Sequence, residues 1–250
     1  MKVSIITVAY NAEKTISDTI FSVLNQNYSE FEYILVDGNS SDNTVDIIKR
    51  YASKDSRIRW ISESDQGLYD AMNKGIAMSS GDIVGTLNAD DFFRDKDSLR
   101  KVFYEFATDS SLDAIYGDVL FVSPKDISKV VRKYSSSMFN SGLFRWGFMP
   151  AHPTFYCKRE LFAKFGYYKL DFKIAGDFEL LLRFIRNHKI AVKYIPEYLV
   201  IMRIGGLSTR GLRSKVLLNR EIIKACRMSG VYTNMVMLSL KYFIKVLELR

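Results

Sequence analysis

Residues 31–44 read FEYILVDGNSSDNT, an apolar run of β-branched and aromatic residues that ends in an acid, a glycine and a polar turn. The run predicts a buried strand that ends at Asp37. The polar turn predicts a helix that starts at Thr44, with Ser41 or Asp42 as its cap. A strand, a polar turn and a helix in succession form half of a βαβ unit, so this stretch indicates an α/β fold.

The same pattern occurs on both sides of this stretch. Predicted strands lie at residues 3–8, 57–61 and 82–87, and predicted helices lie at residues 16–24, 44–51 and 68–78. Asn11 is the predicted cap of the first helix. Alternation at this spacing favours right-handed crossovers and a mostly parallel sheet flanked by helices. Such sheets bind ligands at the carboxyl ends of their strands, so the polar residues that follow each strand are expected to meet at one rim.

Two polar clusters follow the first two predicted strands, Tyr10-Asn11 and Asp37-Gly38. A carboxylate at a strand end can accept a hydrogen bond from an imide or hydroxyl of a ligand, and a glycine lets the ligand approach the backbone. The same residues also fit an ordinary turn before a helix. This cluster alone therefore leaves both interpretations open.

Two adjacent carboxylates, Asp90 and Asp91, follow the fourth predicted strand in the sequence NADD at 88–91. They repel each other and need compensation at the end of a buried strand. A divalent ion such as Mg²⁺ or Mn²⁺ would supply it, because such ions take oxygen ligands and combine one or two carboxylates with ligand phosphates. The alternative is that Asp91 caps a helix that begins near Phe92 or Lys96.

The second half of the chain carries further candidates. Asp177 begins a predicted helix, where an acid is favoured by the helix dipole and could act as a general base if it faced the rim. His152 lies in an irregular stretch between aromatic residues and is a candidate for facing a ligand. Arg203 opens a basic, glycine-rich loop that suits the covering of phosphates. The mixed composition of residues 132–148 predicts a loop or lid.

The composition suits one large domain, or a domain with an extension, since the chain has 250 residues of which 48% are hydrophobic. Its two cysteines, Cys157 and Cys226, provide no disulfide framework and no metal-ligand spacing. No apolar leader follows Met1, and both features predict a cytoplasmic protein. No run of about 18 uncharged apolar residues occurs, so no segment is expected to span a membrane.

The net charge of +8 is unevenly distributed. Residues 1–125 contain 13 basic and 20 acidic residues, whereas residues 126–250 contain 23 basic and 8 acidic residues. A basic half suits polyanions such as nucleic acid, phosphorylated ligands or an anionic bilayer surface. No nucleic-acid recognition motif accompanies it, so nucleic acid is not a predicted partner. The acidic and basic halves could together hold a metal ion and the phosphates that it neutralises.

The motifs TVAYN, LVDGNSSDNT, DQGLYDAMNKGI and LNADD, taken in order, resemble the N-terminal half of family 2 glycosyltransferases, which have the GT-A fold. The later segments HPTFYCKRELF, GYYKLDFKIAGDFELLLR and IGGLS resemble the bacterial subgroup that builds exopolysaccharide, capsule or O-antigen units. The resemblance covers about residues 3–210. It implies a Rossmann-like α/β fold, a nucleotide-diphosphate sugar donor, a divalent metal (Mn²⁺ or Mg²⁺) and inversion at the anomeric carbon.

The resemblance also implies roles for single residues. Nucleotide-sugar contacts would come from Ala9, Tyr10, Glu13, Asp37, Asp65, Asn73, Lys74 and Asn88. Asp37 would accept from the base imide, as uracil offers, and Asp177 would be the catalytic base. Apart from the resemblance, basic groups such as Arg203 or Arg210, on a loop that could close, would stabilise the diphosphate. The metal ligands would be Asp90 and Asp91, with more weight on Asp90 because Asn88 replaces the first acid of the family's DxD motif and an amide is a weaker metal ligand.

The predicted domains are a glycosyltransferase domain at residues 1–210 and a basic helical extension at residues 211–250. Met235 and Leu238 belong to a helical apolar pattern in the extension. Such a helix could lie on the inner face of the cell membrane, close to a lipid-linked acceptor. The alternative is that it packs on the catalytic domain or on a second subunit.

The predicted function is the inverting transfer of a sugar from a nucleotide-diphosphate sugar, taken as a UDP-sugar. The acceptor would be a hydroxyl of a glycan or lipid-linked saccharide in cell-surface polysaccharide synthesis. One alternative is a non-catalytic nucleotide-sugar-binding or scaffold subunit, which the presence of Asp177 disfavours. A less favoured alternative is a sugar nucleotidyltransferase, whose triphosphate loop is glycine-rich, whereas TVAYNAEKT contains no glycine.

Overall fold

The computed structural model describes residues 1–205 and 211–240, apart from the side chain of Leu212. The strands in these residues are β1 (Val3–Ala9), β2 (Phe31–Asp37), β3 (Ile58–Ser62), β4 (Ile83–Thr86), β5 (Phe92–Phe93), β6 (Ala114–Ser123), β7 (Asp126–Tyr134), β8 (Tyr156–Lys158) and β9 (Val192–Arg203). The α-helices are α1 (Ile16–Leu24), α2 (Thr44–Ala52), α3 (Leu68–Met78), α4 (Ser98–Thr108), α5 (Glu160–Phe165), α6 (Gly176–Leu181) and α7 (Leu212–Met228). Short 3-10 turns lie at Ser141–Trp146 and His152–Thr154, and α6 continues as a π-helical segment at Leu182–Asn187.

The strands form one mixed sheet in the order β3-β2-β1-β4-β8-β6-β9-β5, with β7 paired to β6. β1 to β4 are parallel, as the alternation of strands and helices predicted. β8 is antiparallel to both β4 and β6, and β6 and β9 are again parallel. The predicted α/β class is therefore confirmed, and the antiparallel insertion of β8 is a feature that the sequence pattern did not reveal.

The first strands are buried on both faces, which explains their nearly continuous apolar runs. Ile6 and Val8 of β1 belong to one hydrophobic cluster, together with Phe178 of α6 and Ile222 of α7. Ile5 of β1 belongs to the other cluster, which α1, α2 and α4 cover. With helices on both sides, the loops at the ends of the strands are the places where polar groups can gather.

The caps predicted for α1 and α2 can be compared with the residues at which these helices begin. α1 begins at Ile16 after Thr15, so the prediction that Asn11 caps this helix is wrong. Asn11 has a φ of 51° and its side chain contacts the loop after β2 instead. The N-cap position of α2 is Asn43, which makes no side-chain cap hydrogen bond, so neither Ser41 nor Asp42 occupies the predicted position. Asp42 still contacts the start of the helix, because its Oδ1 accepts the Thr44 N–H at 3.0 Å.

The segment after Asp91 is a strand rather than a helix. β5 pairs there with β9, and α4 begins only at Ser98. The interpretation of Asp91 as a helix cap is therefore wrong, because the two phenylalanines of β5 extend the sheet. The lid expected at 132–148 also begins as a strand, since β7 continues to Tyr134.

The C-terminal part packs on the body of the protein through α7, whose Ile222 and Cys226 are buried. The helix ends at Met228, and residues 235–240 are helical again. Within the part of the chain that the structure describes, no helix is long and apolar enough to cross a membrane. Residues 206–210, which include the last three residues of the motif IGGLS and Arg210, and residues 241–250 lie outside the described residues.

Candidate active site

The carboxyl ends of the first strands bring loops together at one rim. Ala9 at the end of β1 pairs with Asp37 at the end of β2. A Cβ atom added at Gly38 would lie 2.7 Å from Asp65 Oδ2 and 3.5 Å from Cδ2 of Tyr10. Gly38 therefore lies at the junction of the loops after β1, β2 and β3, and a larger side chain would fill that junction.

The Asp37 carboxylate is fully buried and is held by hydroxyl and amide donors. Ser40 donates its N–H at 3.0 Å and its hydroxyl at 2.5 Å, and Ser62 donates its hydroxyl at 2.7 Å. A carboxylate offers about four acceptor positions, so one is left for a further donor. The two serines thus orient the carboxylate, and its bond to a base imide stays a prediction.

The loop after β1 is joined to the loop after β2. Asn11 Oδ1 accepts the Ser41 N–H at 2.9 Å. Glu13 Oε2 accepts the backbone N–H of Asn43 at 3.1 Å and its side-chain amide at 2.8 Å. Tyr10 is 68% exposed beside this junction. Tyr10 is therefore available to a ligand at the rim, whereas Glu13 holds the rim together.

Lys74 of α3 lies within a group of carboxylates. Its Nζ is 2.8 Å from Asp65 Oδ1, 2.9 Å from Glu63 Oε1 and 3.6 Å from Asp70 Oδ2. The hydrogen bond with Asp65 raises the pKa of Lys74 above its ordinary value. Lys74 is therefore a fixed cation that connects α3 to the segment after β3, next to Gly38.

Asn73 uses its side chain on the backbone of a distant residue. Its Nδ2 donates to the Tyr168 carbonyl at 2.8 Å, and its Oδ1 accepts the Tyr168 N–H at 3.0 Å. This pair of bonds joins α3 to the segment that precedes α6. Asn73 supports the architecture of the site, and its contact with a donor sugar stays a prediction.

The adjacent acids of residues 88–91 have different surroundings. Asp91 is 1% exposed, and its Oδ2 accepts the Asn88 side-chain amide at 2.8 Å. Burial and, next, the charge of Asp90 raise the pKa of Asp91 well above its usual range. Asp90 is only partly buried. The repulsion between the two acids is therefore lowered because the neutral form of Asp91 is favoured.

The donor set of this turn fits a hard divalent cation. Asp91 Oδ1 is buried and has no hydrogen-bond partner among the described residues. In the same part of the chain, no group of three or more His, Cys, Asp or Glu side chains is arranged to hold a metal ion. A cation here would thus need oxygen atoms from a ligand as well, which is the usual arrangement when a substrate brings phosphates.

Arg203, at the end of β9, lies beside the same turn. Its guanidinium donates to the Asp90 carbonyl at 2.7 Å and to the Asp18 carboxylate. It also lies 5.0 Å from the centre of the Phe92 ring. Arg203 therefore fixes a positive charge next to the acidic turn and supports its backbone.

Asp177 stands in the first turn of α6 and packs against Tyr69 of α3. Its Oδ1 accepts the Phe178 N–H at 2.8 Å and lies 3.4 Å from the Tyr69 hydroxyl. Gly176 permits this approach, because a Cβ atom there would lie 2.6 Å from the Tyr69 ring. The side chain is partly buried, and burial raises its pKa above the ordinary value. A carboxyl group of this kind is suited to accept a proton.

His152 is buried in the group of side chains around Asp177 and Tyr69. Its Nε2 lies 2.8 Å from the Tyr168 hydroxyl, and the Tyr168 ring stacks on Tyr69 with centroids 5.4 Å apart. Burial lowers the pKa of His152, while Asp177 acts in the opposite direction. Conversely, His152 favours the ionised form of Asp177.

Three residues that support this cluster were missed by sequence reasoning: Tyr69, Tyr168 and Glu221. Tyr69 was within reach, because it lies inside the motif DQGLYDAMNKGI. Tyr168 likewise lies inside the motif GYYKLDFKIAGDFELLLR. Glu221 carries no local signal, since the backbone groups that it binds lie far away along the chain.

Comparison with known proteins identifies the family. Residues 4–166 match the model of glycosyl transferase family 2. Over 228 residues the chain is 28% identical to a PGL/p-HBAD biosynthesis glycosyltransferase of Mycobacterium bovis, which covers 90% of this chain and 84% of that protein. It is 32% identical over 197 residues to an uncharacterized glycosyltransferase of Mycobacterium tuberculosis, covering 72% of this chain and 68% of that protein.

Solved structures share the fold at lower identity. S. aureus TarS in complex with UDP-GlcNAc matches with a TM-score of 0.67 and 19% identity, over 89% of this chain and 67% of that chain. In another crystal structure of the same TarS fragment, the chain spans 65% of its length. The mannosyltransferase PcManGT from Pyrobaculum calidifontis, in complex with GDP-Man and Mn²⁺, matches with a TM-score of 0.64 and 18% identity, over 100% of this chain and 81% of that chain.

These likenesses confirm the GT-A fold that the motifs implied. The family model covers most of the chain, and the rim of parallel strand ends with its acidic turn lies within the matched residues. The protein is therefore a glycosyltransferase that belongs to glycosyl transferase family 2.

Proposed function

We propose that this glycosyltransferase moves a sugar from a UDP-sugar to a hydroxyl of a glycan or lipid-linked saccharide, with inversion at the anomeric carbon, in cell-surface polysaccharide synthesis. The observation that carries the proposal is the position of Asp177, a partly buried carboxyl group in the first turn of α6 whose Oδ1 lies 3.4 Å from the Tyr69 hydroxyl. A base of this kind serves direct displacement by an acceptor hydroxyl. The fold is shared with structures that hold UDP-GlcNAc or GDP-Man, which supports a nucleotide-sugar donor.

The nucleotide would bind at the junction of the first three loops. Tyr10 offers an exposed ring for stacking on the base, and Gly38 leaves room for the ligand beside it. The one remaining acceptor position of Asp37 matches the single imide N–H of uracil. Asp65 and Lys74 border the same junction, which supports the proposal that they contact the nucleotide and the donor sugar.

The diphosphate would lie at the acidic turn. Asp90 and Asp91 are the residues that would hold a divalent cation there, together with diphosphate oxygens. Such a cation neutralises the charge that develops on the leaving group. Arg203 adds a positive charge that is already fixed at the turn by its bonds to the Asp90 carbonyl and to Asp18.

The reaction would be a single displacement. Asp177 accepts the proton of the acceptor hydroxyl, and the hydroxyl oxygen forms a bond to the anomeric carbon on the face opposite to the diphosphate. The bond between the anomeric carbon and the diphosphate oxygen breaks, and its electron pair leaves with the nucleoside diphosphate. Tyr69 and Phe178 hold Asp177 in place for this step.

Thermal unfolding with UDP, GDP, CMP and dTDP, each with Mn²⁺ or with a chelator, tests the donor site. A ligand that binds only the folded state adds about 2.7 kcal/mol of stability at a concentration of 100 Kd. We expect UDP with Mn²⁺ to raise the unfolding temperature, and we expect Asp90→Ala or the chelator to abolish the rise. Asp46→Ala, an exposed acid on α2, is the control that should keep it.

The outcomes of this experiment separate the parts of the proposal. A rise in the unfolding temperature with GDP alone would identify GDP, in place of UDP, as the nucleotide of the donor. The proposed metal, catalytic base and acceptor would be unaffected. A shift with UDP that persists in chelator would remove the metal. If the folded protein shows no shift with any nucleotide, the assignment of the donor site is wrong.

The acceptor side of the proposal rests on the C-terminal residues. We propose that residues 211–250 form a basic extension to a catalytic domain at residues 1–210, and that the extension contacts the inner face of the cell membrane. Exposed apolar side chains among the described residues of this part are Val216, Met228, Tyr232, Met235, Val236 and Leu240. Leu238, in contrast, is fully buried, so this segment packs on the protein with one face and presents another to its surroundings. A basic amphipathic surface of this kind suits an interface with anionic lipid.

A further inference from the structure

Helix α7 lies outside the residues that match the model of glycosyl transferase family 2. It nevertheless binds the segment that leads to Asp177. Glu221 and Lys224 make this contact. They are three positions apart on α7 and therefore lie on the same face of the helix. Both side chains bind within residues 171–175.

Glu221 accepts three consecutive backbone N–H groups. Its Oε1 accepts the Lys173 N–H at 2.8 Å, and its Oε2 accepts those of Ile174 and Ala175 at 2.9 and 2.8 Å. Glu221 is 7% exposed, so these bonds form away from bulk water. Hydrogen bonds to a charged acceptor are about twice as strong as those between neutral groups. One buried carboxylate thus fixes the whole entry to α6.

Lys224 adds a second and weaker contact. Its Nζ lies 2.6 Å from Asp171 Oδ2 and 4.7 Å from the centre of the Phe172 ring. Both members of the ion pair are exposed, at 43% and 56% of the side-chain surface. Exposed ion pairs contribute little to stability, so Glu221 is the residue that is expected to set the position of the segment.

The segment held by Glu221 is connected to Asp177 by two routes. Ala175 directly precedes α6, whose first turn contains Asp177. The Ile174 carbonyl accepts the Tyr69 hydroxyl at 2.7 Å, and that hydroxyl lies 3.4 Å from Asp177 Oδ1. Any movement of residues 173–175 would therefore displace both Asp177 and the tyrosine that packs on it.

We propose that Glu221 is a positioning residue for the catalytic base, which makes α7 a part of the catalytic unit. This inference rests on the role given to Asp177 under the proposed function. Without the carboxylate, three consecutive N–H groups lose their acceptor and the entry to α6 is free to shift. A misplacement of about 1 Å at a reacting group can cost on the order of 100-fold in rate.

Steady-state kinetics of Glu221→Gln and Glu221→Ala in the full chain, with a UDP-sugar donor found by screening, test the proposal. The glutamine can still accept from one side, whereas the alanine accepts nothing. We expect kcat to fall by about 10-fold in the first variant and about 100-fold in the second. The KM for the donor is expected to stay within about twofold of the wild-type value, because Glu221 does not touch the donor site. For the same reason, UDP with Mn²⁺ is expected to raise the unfolding temperature of the variants as it does that of the wild type.

Glu32→Gln is the matched control. Glu32 is also buried, at 4% exposure, and its Oε1 accepts the Ser4 hydroxyl and the Ser80 N–H at 2.6 Å each. It lies near the beginning of β2, about 17 Å of strand from the rim. The same chemical change at Glu32 should therefore lower the unfolding temperature to a similar degree without lowering kcat.

The kinetics are measured below the unfolding transition of the least stable variant, so that all chains are folded. Equal kcat values for Glu221→Gln, Glu32→Gln and the wild type would overturn the positioning role. Asp177→Asn distinguishes the two proposals. If Asp177→Asn is inactive while both Glu221 variants are normal, only this inference fails. If Asp177→Asn remains active, the catalytic base was assigned wrongly and the inference fails with it.

Discussion

In its proposed role as the catalytic base, Asp177 would combine burial with a requirement for negative charge. Burial raises its pKa, although His152 and the Phe178 N–H act in the opposite direction. A base works only in its deprotonated form, so activity should be lost as the pH falls through the raised pKa. We predict an acidic limb of slope one in a profile of log kcat/KM against pH, centred above the ordinary aspartate value of about 3.9. A flat profile over the pH range in which the protein is folded would contradict the assignment.

The variant His152→Gln tests whether Asp177 is the group that titrates in the acidic limb of the pH profile. Glutamine can keep a hydrogen bond to the Tyr168 hydroxyl, but it removes the charge that favours ionised Asp177. The limb should therefore move to higher pH. His188→Gln is the matched control, because His188 follows the far end of the π-helical segment and stacks on Phe165. An unmoved limb in folded His152→Gln would show that another group titrates there.

At the scale of the elements, the junction of β4 and β8 depends on one glycine. A Cβ atom at Gly85 would lie 2.1 Å from the ring of Tyr156, which is itself fully buried. The ring has no room to yield, so Gly85→Ala should destabilise the protein by about 1–3 kcal/mol, as overpacking of a core does. Chemical denaturation measures this loss.

Gly142→Ala is the control for this substitution. Its added Cβ would meet only the Asn140 Oδ1 atom, at 3.0 Å, near the end of a short side chain. We expect a change within about 0.5 kcal/mol for this variant. Equal stabilities of the two alanine variants would show that Tyr156 can move, and that β8 is less tightly inserted than its packing indicates.

At the scale of the whole molecule, exposed apolar side chains and positive charge occur together near the C-terminal end. Val236 is 73% exposed and Tyr232 is 69% exposed, and Arg227 lies nearby on the exposed side of α7. We predict that the protein sediments with vesicles that contain anionic lipid, and that added salt weakens the binding. Val236→Glu should weaken it about tenfold, since a buried valine side chain contributes about 1.5 kcal/mol or more.

Val130→Glu provides the comparison, because Val130 is 45% exposed on β7 at a distance along the chain from these residues. It should leave vesicle binding unchanged. If wild-type protein does not bind anionic vesicles, the exposed side chains serve another contact, and the alternative of packing on a second subunit gains support.

Local patterns were sufficient for the first half of the molecule. The runs that end at Ala9 and Asp37 are buried on both faces, and each is followed by turn residues and a helix, so class, strand direction and rim could be derived from them. The buried run that ends at Thr86 leads instead to the short strand β5. The family motifs lie in the same residues. The second half was less predictable, because β8 and β5 are too short to show a periodicity of their own.

The candidate site divides in the same way. The sequence by itself determined the α/β class, the rim at the carboxyl ends of the strands and the identity of the acidic candidates, because these follow from residues that are close together in the chain. Only the tertiary structure decided that Asp91 is buried, that Glu13 and Asn73 hold loops together, and that Glu221 supports the entry to α6. Burial and partners over such distances depend on how the helices pack on the sheet, and the packing of distant segments leaves no periodic pattern in the local sequence.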